Sequence, residues 1–156
     1  MRVLSVLSFV TTCAVLTGCA APLSSQRSAV AAQGGDVILV RQSSKTPDQV
    51  IDAIKAYAES KKWVYMGSNR VKPPQGEVTM VKVCIPAVGA ALWPLGLQMS
   101  ALLPCGNLGI YQKDGRTEIS MLDPRYMAML VPSPEVSRAS GLAGPLLTEM
   151  LDTVAK

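Results

Sequence analysis

A chain of 156 residues, 49% hydrophobic and 17% charged, has room for one folded domain and is too apolar to stay disordered. Its net charge of +4 is too weak for a nucleic-acid footprint, and no basic stripe with interleaved aromatics exists to follow phosphates or stack bases. Histidine is absent, which excludes Ser-His-Asp and Cys-His triads, a histidine general base, His-bearing zinc sites and axial His ligation of haem.

The chain opens with Met1-Arg2 and a mostly apolar run from Val3 to Leu16. Such a run is a secretory leader, too short for a stable span. It ends in Leu16-Thr17-Gly18-Cys19, which resembles the lipobox of bacterial lipoproteins. The resemblance implies a signal peptide over 1–18, cleavage before Cys19, a diacylglycerol thioether on its sulfur and palmitate-type acylation. Two or more acyl chains, at about 0.8 kcal/mol per buried methylene, hold a protein stably on a membrane. Ala20 stands where an Asp would resemble an inner-membrane retention signal, so the expected address is the outer membrane, facing the periplasm. An ordinary leader cut near Ala20-Ala21 ranks below this reading. Residues 19–35, rich in Ala, Ser, Gln and Gly, read as a flexible tether, and a single domain is expected over 36–156.

Within that domain Asp36 to Gln42 is β-rich and predicts a first strand. Thr46-Pro47-Asp48-Gln49 is a helix start with a capping box, and Val50, Ile51, Ile54, Tyr57 and Ala58 share one face at helical spacing. A second strand is predicted from Trp63 to Val71, stopped by Pro73-Pro74-Gln75-Gly76. Val78 to Ile85 alternates, with Val81, Val83 and Ile85 on one face and Met80, Lys82 and Cys84 on the other. Leu108 to Gln112 and Thr117 to Leu122 flank Asp114-Gly115, a type I′ hairpin signal. Asp123-Pro124 opens a short helical piece through Leu130, and Ser133-Pro134 caps a last helix towards Ala155. Gly141 and Gly144-Pro145 should bend or interrupt it. This order predicts an α+β fold, a small mostly antiparallel sheet with helices packed on one side.

Between Lys82 and Lys113 there is no charge, yet Pro86, Pro94 and Pro104 would break any spanning helix into one- or two-turn pieces. Three readings remain for this segment. Buried core comes first, a dimer surface second, and a pocket for an apolar ligand third. The last two would use Val88, Leu92, Trp93, Leu95 and Leu97.

The same segment is bracketed by Cys84 and Cys105, 21 positions apart in a compartment expected to be oxidising. A disulfide is the first reading, contributing roughly 3 kcal/mol by loop closure. A soft-metal site ranks second, with Met80 and Met121 as candidate thioether ligands that would favour copper as Cu(I). A reactive, sulfur-handling thiol ranks third. Glu118 and Asp123 have no partner that marks an acid/base pair, so an enzyme is not favoured and no cofactor is expected apart from the copper alternative.

The residues Cys84-Ile85-Pro86, Leu103-Pro104-Cys105, Asp114-Gly115 and Asp123-Pro124 together resemble the bacterial and archaeal family called domain of unknown function 302. The resemblance covers about Asp36 to Lys156. It implies a small α+β domain, able to form a homodimer and without established activity, and it treats Cys84 and Cys105 as a matched pair. Two positions depart from the family. Many members have Cys-Asn-Pro where this chain has Ile85, and a Gly often precedes the aromatic where Lys62 precedes Trp63. The leading expectation is a lipid-anchored periplasmic binding or structural module. A copper- or thiol-handling protein and a carrier of an apolar ligand are the alternatives.

Overall fold

The computed structural model describes residues 37–103 and 106–156. The leader, Cys19 and the tether lie outside the described residues, as do Pro104 and Cys105. The unit from Gly35 to Lys156 carries every element below.

Five strands, β1 (Ile38–Ser43), β2 (Val64–Val71), β3 (Val78–Cys84), β4 (Gly106–Lys113) and β5 (Arg116–Leu122), form one antiparallel sheet in the order β1-β5-β4-β3-β2. Four helices accompany it: α1 (Pro47–Ser60), α2 (Pro86–Leu92), α3 (Tyr126–Leu130) and α4 (Pro134–Val154). The core joins Val50 and Ile54 of α1, Leu92 of α2, Met127 of α3 and Leu147 and Leu151 of α4 to Val81, Val83, Leu108, Ile110, Ile119 and Met121 of the strands. The predicted α+β class is therefore correct, with the helices on one side of the sheet.

Local chemistry accounts for most boundaries. Thr46 accepts from the Gln49 amide at 3.3 Å while the Gln49 side chain accepts from the Thr46 amide at 2.9 Å, a closed capping box with Pro47 at the first helical position. At the other end of α1, Trp63 N–H donates to Ala58 O at 2.8 Å and Lys62 N–H to Glu59 O at 3.1 Å. That is a Schellman motif, and it holds Lys62 at φ 57°. Asp114 at φ 50° and Gly115 at φ 77° make the two-residue turn of the hairpin, as its Asp-Gly pair predicts.

The third strand stops at Cys84, because Ile85 becomes the N-cap of α2; its side chain is buried and makes no capping hydrogen bond. At this position an Asn would cap the helix; here the side chain fills core instead. Strand β2 carries a bulge between Tyr65 and Gly67 that the alternation does not reveal. Finally, α4 runs unbroken from Pro134 to Val154 with Pro145 inside it, correcting the expected interruption. Eight buried residues along α4 anchor it on both sides of the proline, so packing outweighs the lost hydrogen bond.

The central segment folds as α2 followed by 3-10 turns at Trp93–Leu95 and Leu97–Ala101. No helix among the described residues is long and apolar enough to cross a membrane.

Candidate functional site

Two-residue periodicity sorts the strands into two faces. On the helix side lie Thr79, Val81 and Val83 of β3 with Leu108 and Ile110 of β4 and Ile119 and Met121 of β5, all buried. Among the described residues no helix covers the opposite face. Its side chains are Ile38 and Val40 of β1, Leu122 of β5, Met80 of β3, and Val64, Met66 and Val71 of β2, each between 40% and 56% exposed. An antiparallel sheet with one wet face ordinarily presents polar residues there. Here the register also sets Gln42, Tyr111, Glu118, Ser120 and Lys82 on the open face, so its apolar side chains form two groups, one on β1 and β5 and one on β2 and β3.

Cys84 closes β3 on this open face, in register with Val64 of β2 and half-buried. Of the candidate metal ligands, Met80 shares the face but stands four residues back along the strand, roughly 13 Å away at strand rise. Met121 is buried on the other side of the sheet, paired with Leu108 and Leu39. The structure does not bring Cys84, Met80 and Met121 together, and metal–sulfur bonds of about 2.3 Å could not span these separations. Sequence spacing suggested an approach because it shows strand parity within β3 but not the parity of a distant strand. Among the described residues no group of three Cys, Asp or Glu side chains could hold a metal ion.

The central apolar set also divides. Val88 and Leu92 are core, at 1% and 0% exposure, and Leu95 is partly buried against that core. Trp93 and Leu97 are exposed, at 43% and 82%. This segment supplies core first, as ranked, and the larger exposed apolar surface is the sheet face, which lies elsewhere. Alternation of apolar residues on both parities, as in Ile38-Leu39-Val40, was the signal that could have found it.

Two buried carboxylates complete the chemistry. Glu118 accepts from the Gln42 amide at 3.2 Å and lies 3.9 Å from the Lys113 ammonium. The Tyr111 hydroxyl holds its carboxyl below the usual range, helped by Gln42 and Lys113 against the cost of burial. Asp123, beyond the end of β5, accepts from Arg125 N–H at 2.8 Å and from its Nε at 2.7 Å. The Arg125 guanidinium is the main reason that its carboxyl is also held low. Each acid is matched to its own partners, and neither has an unpaired proton acceptor poised over a pocket.

Helices on one face of an antiparallel sheet, with the other face uncovered among the described residues, define a two-layer α+β domain. The family model described as domain of unknown function DUF302 matches residues 39–154, and the chain belongs to that family. Its fold is shared with the crystal structure of the uncharacterized conserved protein DUF302 from Bacillus stearothermophilus. The likeness covers 77% of this chain and 98% of that one, with a TM-score of 0.68 and 17% identity. No curated protein matches the chain in sequence.

Proposed function

We propose that this protein is a lipid-anchored module of the outer membrane, facing the periplasm, that works by binding and pairs with a second copy of itself through the open face of its sheet. The observation that carries this reading is two groups of exposed apolar side chains, Ile38, Val40 and Leu122 towards one edge and Val64, Met66, Val71 and Met80 towards the other, on a face that no helix among the described residues covers. Two such faces suit each other. Sheets pack face to face about 10 Å apart, and a two-fold pair is self-complementary.

The anchor rests on the lipobox Leu16-Thr17-Gly18-Cys19 behind its apolar run. A disulfide between Cys84 and Cys105 belongs to the same proposal. The β3–β4 register ends with Val83 paired to Gly106, and the bridge requires the same pairing to run one residue further. Directly opposed residues of an antiparallel pair have Cα atoms about 4.5 or 5.5 Å apart, and both values fall inside the disulfide window. Cys84 is not without a partner. The bridge would staple the end of the open face.

Sedimentation of the full chain in detergent is the main test. The expected result is a dimer that Met80→Asp converts to monomer while the circular dichroism spectrum stays unchanged. A wild-type monomer at all concentrations would overturn the pairing. Intact mass of protein taken from its own envelope tests the rest. Acylation should vanish in Cys19→Ser, and reduction should add two hydrogens.

A further inference from the structure

A cleft of about 590 Å³ opens between the inner side of β1 and α4, on the helix layer and away from the open sheet face. Its walls include Leu39 and Arg41 of β1, Arg125, and Gly141, Gly144 and Pro145 of α4. Three features set it apart from an ordinary surface dent.

The first is size and character. A volume in the range of roughly 300–1,000 Å³, with an apolar lining and a few polar groups, is that of a small-molecule site. The second is the placement of the arginines. Arg41 Nε donates to Asp152 of α4 at 2.6 Å and one terminal nitrogen donates to Val40 O at 3.0 Å. Arg125 uses Nε and one terminal nitrogen on Asp123. Both guanidiniums are thus fixed by their own acids, and on each the other terminal nitrogen has no partner among the described residues. Of the charged groups lining the cleft, two are cations and one, Asp123, is an anion already engaged.

The third feature is the helix wall itself. Glycine and proline are the least favourable residues in a helix interior, and α4 places Gly141, Gly144 and Pro145 together on the cleft. Internal packing does not demand the glycines: a Cβ built on Gly141 or on Gly144 meets nothing within 4 Å. What their missing side chains leave is open volume in the cleft. Pro145 has no N–H to give the carbonyl of Gly141, so that acceptor loses its helical donor on the same wall.

We infer that this cleft is a binding site for a small amphiphile, an alkyl chain with an anionic carboxylate or phosphate head. The head takes the unused N–H groups of Arg41 and Arg125, which suit either anion in a forked geometry. The chain lies on Leu39 and the bare surface of α4. This site is independent of the pairing proposed above, because it lies on the other layer of the domain.

The test is photocrosslinking of the full lipidated chain in detergent with a diazirine-bearing fatty acid, followed by peptide mapping. Label should concentrate on peptides containing Leu39 and the stretch 141–148. Decanoate and decyl phosphate should compete, and decanol and decyltrimethylammonium should not; a difference between the first two assigns the head group. Gly144→Leu, which fills the cleft, should lower labelling at least tenfold while its melting temperature stays equal to or above wild type. The pair Arg41→Gln and Arg125→Gln should remove the preference for anions and leave residual labelling. Label spread without competition, or Gly144→Leu labelled like wild type, overturns the inference. If Gly144→Leu melts early, Gly141→Leu carries the same test from the next exposed position.

Discussion

On β1 and β3 this sheet carries the same kinds of apolar side chain on both faces, yet one face is core and the other is surface. Val81 and Val83 of β3 are sealed under helices, while Met80 on the same strand is 47% exposed. In β1 and β2, valine, isoleucine and methionine likewise stand in solvent on the open face. The difference teaches that apolar content alone does not define a core. A core needs a second layer over it, and among the described residues only the helix side has one. An apolar sheet face left bare is a surface waiting for a partner of matching character.

That contrast can be broken by mutation, and the largest effect is expected on the covered face. Ile119 is fully buried, so Ile119→Ala should lower unfolding free energy by about 2–5 kcal/mol through lost transfer energy and a residual cavity. Val40→Ala on the open face removes a similar group and should cost under about 1 kcal/mol when measured on dilute monomer. Urea unfolding at low concentration decides the matter, since comparable losses at the two positions would mean that the faces do not differ.

The covered face was largely legible in the sequence. Period-2 alternation in Val78 to Ile85, the capping box at Thr46 and the Asp-Gly turn each report one local interaction, and each was found where its residues predicted. The open face was not legible, because Ile38, Val40 and Val64 read as ordinary strand formers until the strand order shows which side the helices take. The same blindness let Met121 look like a neighbour of Cys84. Parity within one strand is written in the sequence, but parity between strands is set by long-range register. Pro145 misled in the other direction: a local breaking rule was overridden by the burial along α4. The carboxylates at Glu118 and Asp123 read as acids without a partner because Tyr111, Gln42 and Arg125 become their neighbours only through the hairpin and the turn after it.

Those carboxylates sharpen the comparison through pH. Both have folded-state pKa values below their unfolded ones. The stability they contribute is therefore present above the unfolded values near about 4 and is lost as pH falls through the lower folded values. Stability should decline on acidification below about pH 4. Asp123→Asn should be less stable at neutral pH and show a shallower acid limb. Glu118 faces the open side, beside Tyr111 and Gln42. If a second copy covers that side, the effect of Glu118→Gln should grow with protein concentration, whereas that of Asp123→Asn should not. Thermal melts at two concentrations across pH 2 to 7 provide the reading, and equal concentration dependence would argue against coverage of the open face.

The smallest effect expected lies at the end of α1, where sequence and geometry meet in one residue. Lys62 occupies the left-handed position of the Schellman motif, at φ 57°, where a Cβ crowds the following carbonyl. Glycine adopts this conformation without that penalty. Its neighbour Trp63 packs edge-on against Tyr57, with ring centroids 5.5 Å apart, so the turn is held by tertiary contact despite the strain. Lys62→Gly should thus relieve the crowding and raise stability by about 1 kcal/mol, less whatever the freer unfolded chain takes back. Neither sheet face should respond, so the gain is expected to be the same in dilute monomer and at high concentration. A loss of stability in Lys62→Gly would show that the lysine side chain contributes more at this turn than its backbone costs.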